Sequence, residues 1–304
     1  MSPYRSRFQH WDAQAWIRSK PRQSGAFDHR LSYFSPDLCP LLQHPAVSMQ
    51  PAQVRERLLI HQLYLYLEFT VRLETGPVNE ACLLLREPGL WPWLPGGMRN
   101  DALRIYADEA GHAEMSHTLM MAVRAATQVV PLPHEPRFLR ELSALGAVEP
   151  ELDQSLVKLF FVIVSETLIT APLHGLSRDT RVQRQVRGFA ADHAADESRH
   201  HAYFRELFEC VWPRLPDDVC RRIGILLPRV ILAYLAPDEA AFTAILAACG
   251  IGQPSEVARE IAALPHTRAG IRRAAGPSLR MFARAGLFDD RRVADAFAAH
   301  HLRP

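Results

Sequence analysis

The chain has 304 residues, 48% of them hydrophobic and 22% charged, with a formal net charge of +2. That balance is ordinary for a globular protein with a substantial core and gives no reason to expect nucleic acid or an acidic membrane as the main partner. Of the 35 basic residues 33 are arginines, scattered without a dense run, and read as surface charge. The five cysteines (Cys39, Cys82, Cys210, Cys220, Cys249) are odd in number and form no CxxC pair, which points to reduced thiols in a cytoplasmic protein rather than a disulfide frame or a zinc site. The N-terminus lacks the apolar core of a secretory signal, and no run reaches the ~18 uninterrupted apolar residues of a membrane span.

In chain order, residues 1–50 mix tryptophan, arginine and proline without a period, and SYFSPDLCPLLQHPAVSMQP reads as an extended, proline-punctuated arm lying over another part of the chain. From Pro51 the pattern is helical. VRERLLIHQLYLYLEFTVRLET puts Ile60, Tyr64, Leu67, Val71 and Glu74 on one stripe, so Glu74 stands where a core residue is expected. Glu68 lies about 120° away and should meet solvent or an arginine. A second helix runs through DALRIYADEAGHAEMSHTLMMAVRAATQVV, a third through ELDQSLVKLFFVIVSETLITAPL and a fourth around ADHAADESRHHAYF. Gly76 and Pro77 just after Glu74, and Pro172 after Glu166, predict kinks in two of these helices.

DDVCRRIGILLPRVILAYLA, DEAAFTAILAACG and shorter helical pieces complete the chain. No alternating pattern is long enough for a sheet, and the strand-like LFFVIV sits inside a longer helical period. The fold class is therefore all-α in one domain: a peripheral arm (1–50), a four-helix core (51–212) and a C-terminal helical cover (213–304).

The chemistry lies in an internal echo. ADEAGHA (Ala107 to Ala113) and ADESRHH (Ala195 to His201) share A-D-E-x-x-H. Glu-x-x-His on a helix projects both side chains to one side, so two such helices offer Glu109, His112, Glu197 and His200 to a shared space. Two further inward glutamates would complete a dinuclear metal site in a bundle core. Glu74 is one. Glu166 is the other, the only ionisable residue between Leu159 and Leu173, where an unpaired buried carboxylate would cost several kcal/mol.

The overlapping pair Glu114 and His117 is set aside, because Glu114 lies about 140° round the helix from Glu109; the echo likewise selects His200 over His201. Asp108 and Asp196, each just before a ligand glutamate, are expected to accept the second N–H of the histidines across the helix pair. Four glutamates balance two ferrous ions, and oxygen and nitrogen donors without thiolate suit iron or manganese. His193, one turn before Glu197 and followed on the same face by His200 and Phe204, is a seventh ligand candidate that would make the site asymmetric.

Glu74, ADEAGHA, SETLI and DHAADESRHH together resemble the AurF-like p-aminobenzoate N-oxygenase family, which carries a histidine four residues before the glutamate of its last metal motif, as His193 does here. The resemblance covers roughly residues 40–290, with HPAV before the first helix and MFARAGLFDD near the end. It implies a ferritin-like bundle, two iron ions (Fe2+/Fe3+), dioxygen as co-substrate, and electrons from a redox partner or chemical reductant. The substrate it implies is a small-molecule primary amine, by default an arylamine, oxidised to hydroxylamine, nitroso or nitro products. Glu74 and His112 would serve one iron, Glu166, His193 and His200 the other, with Glu109 and Glu197 bridging. The competing readings are a dinuclear-iron C–H hydroxylase or desaturase, and a ferroxidase or storage bundle. A homodimer is the default assembly.

Overall fold

The 3.6-residue apolar period carries through almost the whole chain. The computed structural model describes residues 4–19, 25–148, 150 and 152–302, and among them twelve helices have eight residues or more. They are α1 (Ala52–Leu73), α2 (Asn79–Arg86), α3 (Gly96–Thr127), α4 (Arg137–Val148), α5 (Gln154–Leu168), α6 (Thr170–Arg178), α7 (Arg184–Val211), α8 (Asp217–Leu235), α9 (Glu239–Ala248), α10 (Pro254–Ala263), α11 (Pro265–Arg284) and α12 (Arg291–Ala299). No strand occurs among the described residues; one isolated parallel bridge joins Ser32 to Val182. The fold is all-α, as a ferritin-like helical bundle requires.

The core is built on α1, α3, α5 and α7. Helix α1 packs on α3, α3 on α7 and α7 on α5, while α8 and α11 cover the outer side of α5. Every residue of α5 from Leu159 to Leu168 is buried. That burial explains why LFFVIV is helical: a helix apolar on all sides is stable when neighbours enclose it. By length and composition, Gln154–Arg178 and Asp217–Ala248 could each cross a membrane. In the bundle 72% of the first apolar window and 39% of the second are buried, and the second stretch is broken between α8 and α9.

Both expected interruptions sit beside the glutamates. After α1 the backbone opens into a single π-helical turn, Glu74–Val78, containing Pro77, and the Thr75 hydroxyl donates to the Val71 carbonyl at 2.6 Å. Helix α5 stops at Leu168 and α6 starts at Thr170, two residues before Pro172.

Three features differ from the expectation. The arm is not extended throughout: it contains short helical turns at Trp11–Gln14, Trp16–Ser19, Pro36–Leu38, Pro40–Gln43 and Pro45–Ser48. In the last three proline holds the first position, where its missing N–H has no helical acceptor to lose. Helix α11 has 20 residues rather than being a short piece; its arginines and Pro277 obscure a stripe of Ala275, Ser278, Leu279 and Phe282. Helices α2 and α4 lie outside the expected elements, and α6 continues to Arg178 where the expected third helix ended at Leu173. The arm lies across α3 and α7, and Gly111 allows its approach, since a Cβ there would stand 1.9 Å from Ile17 Cγ2.

Candidate metal centre

The four core rods bring all seven candidate ligands together. Glu74 comes from the turn after α1, Glu109 and His112 from α3, Glu166 from α5, and His193, Glu197 and His200 from α7, each 0% exposed. Their ligand atoms fall into two clusters, Glu74–His112–His193–Glu197 and Glu109–Glu166–Glu197–His200, within each of which all lie inside 4.8 Å of one another. Glu197 belongs to both. Glu109 belongs to the second and also reaches His112 Nδ1 at 3.4 Å.

His193 corrects one expectation. It was assigned to the side of Glu166 and His200, but its Nε2 lies 2.9 Å from Glu74 Oε1 and 3.3 Å from Glu197 Oε1. Its ring sits 4.1 Å from that of His112. Helix geometry gives the reason. His193 is one turn before Glu197 and His200 one turn after it, so their Cα atoms stand about 10 Å apart along the axis and face opposite ends of the site.

The other two histidines are braced from across the helix pair. His112 turns Nδ1 toward the glutamates and Nε2 toward Asp196 Oδ2, at 3.1 Å. His200 places Nδ1 2.9 Å from Glu109 Oε1 and Nε2 3.2 Å from Asp108 Oδ2. Each aspartate thus meets the histidine of the opposite helix, which puts the ring proton on Nε2 and leaves the Nδ1 lone pair facing the centre.

The aspartates are held in turn by residues that the motif analysis did not single out. Trp11 donates its indole N–H to Asp108 Oδ1 at 2.8 Å, the Trp16 backbone N–H donates to Asp196 Oδ2 at 3.2 Å, and Arg199 pairs with Asp196 Oδ1. Phe8, also from the arm, stacks on the His200 ring with centroids 6.0 Å apart. Two tryptophans in an aperiodic arm were the only signal for these contacts, and nothing in the sequence said what they would touch.

The residues set aside stay outside. Glu68 pairs with Arg72 at 3.2 Å, Glu114 and His117 are exposed, and His201 is half-buried.

The electrostatics follow from four carboxylates in a space with no lysine or arginine partner: among the described residues, the ion-pairing groups within 4 Å of them are the three imidazoles. Burial pushes Glu74 up to about 7, with His193 and His112 opposing it. Burial, then Glu197 and Glu109, raise Glu166 well above the carboxylate range. Glu109 and Glu197 are also buried, yet the histidines hold both below it. Against their own desolvation, His112 is raised by Asp196 and Glu109, and His200 by Glu197 and Glu109. The pocket calls for positive charge.

Hydrogen bonding points the same way. Glu74 Oε2, both oxygens of Glu166 and Glu197 Oε2 are buried without a hydrogen-bond partner, and Glu74 Oε1 and Glu109 Oε1 face imidazole nitrogens, each at 2.9 Å, from His193 Nε2 and His200 Nδ1. So many orphaned donor atoms converging on one space fit a metal pair, since buried polar groups are otherwise almost always satisfied. The Cys82 thiol nearby is pushed well up by burial, so it adds no thiolate, and the donor set of carboxylate and imidazole suits iron.

Residues 8–286 match the family described as P-aminobenzoate N-oxygenase AurF. The chain belongs to that family. The AurF match takes in all seven residues of the two clusters, both aspartates, and the arm from Phe8 with Trp11 and Trp16. Among curated relatives, the 4-aminobenzoate N-oxygenase of Streptomyces thioluteus is 24% identical over 229 residues, covering 74% of this chain and 68% of that one.

Proposed function

We propose that this AurF-family chain is a dinuclear iron N-oxygenase that uses dioxygen and externally supplied electrons to oxidise the nitrogen of a small primary amine, foremost an arylamine. The observation that carries this reading is the convergence of carboxylate oxygens and imidazole nitrogens from four helical rods, several of the oxygens with no hydrogen-bond partner, onto one buried space. In it Glu74, His112 and His193 would hold one iron and Glu109, Glu166 and His200 the other, with Glu197 common to both clusters. When bound, the irons supply the reductive activation of dioxygen and the transfer of oxygen to nitrogen.

The protein's own work is positional. Asp196 and Asp108 keep the protons of His112 and His200 on Nε2, so that each Nδ1 lone pair points inward. The fully buried neighbourhood of Glu166 on α5 excludes water from that side, which strengthens every charge interaction within. The four glutamates neutralise two divalent cations, which removes the penalty for burying them.

Metal analysis of the purified chain, followed by anaerobic reduction and mixing with 18O2 and a panel of amines, tests the proposal. Expected are about two irons per chain and a product carrying 18O on nitrogen. Zinc alone, no metal, or oxygen incorporated only at carbon would overturn it.

A further inference from the structure

A cavity of 330 Å³ is bounded by Tyr66 and Phe69 of α1, Pro172 of α6, Phe138 of α4 and Tyr234 of α8. Helix α1 carries Glu74 just past its end, and Pro172 follows Glu166 by six residues, so two of the elements that wall the cavity lead along the chain to Glu74 and Glu166. Tyr66 and Tyr234 are both within electrostatic reach of Glu74 and Glu197; burial first raises both phenols, followed by those two carboxylates at Tyr66 and by Tyr66, Glu166, Glu197 and Glu74 at Tyr234.

The walls are aromatic and set edge to face. Phe69 meets Phe138 at 4.8 Å and Tyr234 at 5.5 Å between centroids, at interplanar angles of 69° and 68°. This geometry favours a further ring between them. The Tyr66 hydroxyl is buried and has no hydrogen-bond partner. A volume of 330 Å³ sits at the low end of the roughly 300–1,000 Å³ typical of ligand pockets, room for one ring with a short substituent.

Charge narrows the ligand further. Arg137 lines the cavity, but its Nη1 donates to the Leu232 carbonyl at 2.8 Å and its Nη2 pairs with Glu141 at 3.0 Å. His134 is bound to Asp238 at 2.8 Å. Asp238 also accepts from the backbone N–H groups of Arg137 and Ala241, at 2.7 and 3.2 Å. Among the described lining residues the cationic groups are therefore already engaged. A carboxylated guest would face Asp238 with no free cation to receive it, and an unpaired carboxylate in such a place costs several kcal/mol.

We propose that this cavity is the substrate site and that it selects an uncharged arylamine, a single ring without a carboxylate, whose amine group meets the Tyr66 hydroxyl. The assignment rests on the N-oxygenase reading and narrows it, since the Streptomyces relative is named for 4-aminobenzoate, which carries the negative charge that this cavity has no free cation to receive.

The test is equilibrium binding to the iron-loaded, reduced protein without oxygen, by calorimetry, of 4-aminobenzamide and 4-aminobenzoate, which share a shape and differ in charge. The amide is expected to bind at least about tenfold tighter, and Tyr66→Phe to weaken it by about tenfold, as loss of one buried hydrogen bond does, with an unchanged melting temperature. Equal or tighter binding of the carboxylate would overturn the selectivity and leave N-oxidation standing. Full amide affinity in Tyr66→Phe would overturn the role given to that hydroxyl. If neither compound bound, the cavity assignment would fall. Admitting 18O2 to the same preparation with a wider amine panel then reads N-oxidation separately, so the two proposals fail by different results.

Discussion

Replacing Asp196 by Asn tests whether the aspartates act on individual histidines. The carboxylate lies 3.1 Å from His112 Nε2, and asparagine keeps the shape and one oxygen while removing the charge. A charge-assisted hydrogen bond contributes roughly 1.5–3 kcal/mol and a neutral one about 1 kcal/mol. The expected loss is therefore about 1–2 kcal/mol, or roughly 5–30-fold in the affinity of the cluster containing His112, overlapping the range for such outer contacts of metal ligands. Titration of the metal-free protein with ferrous or cobaltous ion, followed by absorption, resolves the two sites. The cluster of Glu166 and His200 should change by less than about threefold, because Asp108 braces His200 independently. Asp108→Asn should give the reverse pattern. Arg199 also pairs with Asp196, so melting temperature is followed alongside to separate lost stability from lost affinity. If each variant weakened both sites equally, or neither altered affinity, the cross-bracing argument would be wrong.

Four further outcomes are expected. Glu74→Ala should reduce metal content to about one ion per chain or less, whereas Glu68→Ala, which breaks only a surface pair with Arg72, should keep the full content and cost no more than about 0.5 kcal/mol by chemical denaturation. Trp11→Phe removes the indole N–H from Asp108 and should cost about 1 kcal/mol, with selective weakening of the His200 cluster in the same titration. Gly111→Ala drives a methyl group into Ile17 and should destabilise by about 1–3 kcal/mol, read as faster proteolysis of the arm. His61, 3% exposed, is lowered by burial and by Arg57 from its ordinary 6.5 to about 4. The unfolded chain then binds a proton that the folded one refuses, so stability falls as pH drops from 6.5 toward 4. His61→Leu should remove about 2 kcal/mol of that fall, measured as the difference between the two denaturation series.

Much of the core was legible because burial leaves a mark on composition. Glu166 stood alone in an apolar run, and Glu74 occupied a core position in the α1 stripe; both are fully buried. The repeated A-D-E-x-x-H chose Glu109 and His112 over the overlapping Glu114 and His117, which lie exposed. Spacing along one helix could say that His193 faces inward, but not which cluster it joins. The separation from His200 set the two at opposite ends, but that Glu74 meets the His193 end and Glu166 the His200 end is a tertiary fact with no period in the chain. The arm's contacts were hidden for a related reason. Trp11 and Trp16 act through one indole N–H and one backbone N–H, neither of which leaves a pattern in a segment without regular structure.

The two repeat copies are related in space as they are in sequence: each aspartate crosses to the other's histidine. Glu74 on one side answers Glu166 on the other. Only His193 has no counterpart, for the position four residues before Glu109 is Ile105, buried and apolar. One imidazole thus divides an otherwise balanced frame into a cluster of two carboxylates and two imidazoles and a cluster of three carboxylates and one imidazole. His193 also lacks the brace that fixes its neighbours. Its Nδ1 is buried without a partner, and its ring is held by packing, edge-on against Phe189 at 5.6 Å and close to His112 at 4.1 Å. A ring tied at one nitrogen only, here by Glu74 and Glu197, can turn about its χ2 at less cost than one tied at both. The frame therefore supplies rigidity through the repeated motif, and the single unrepeated histidine is where the site can adjust.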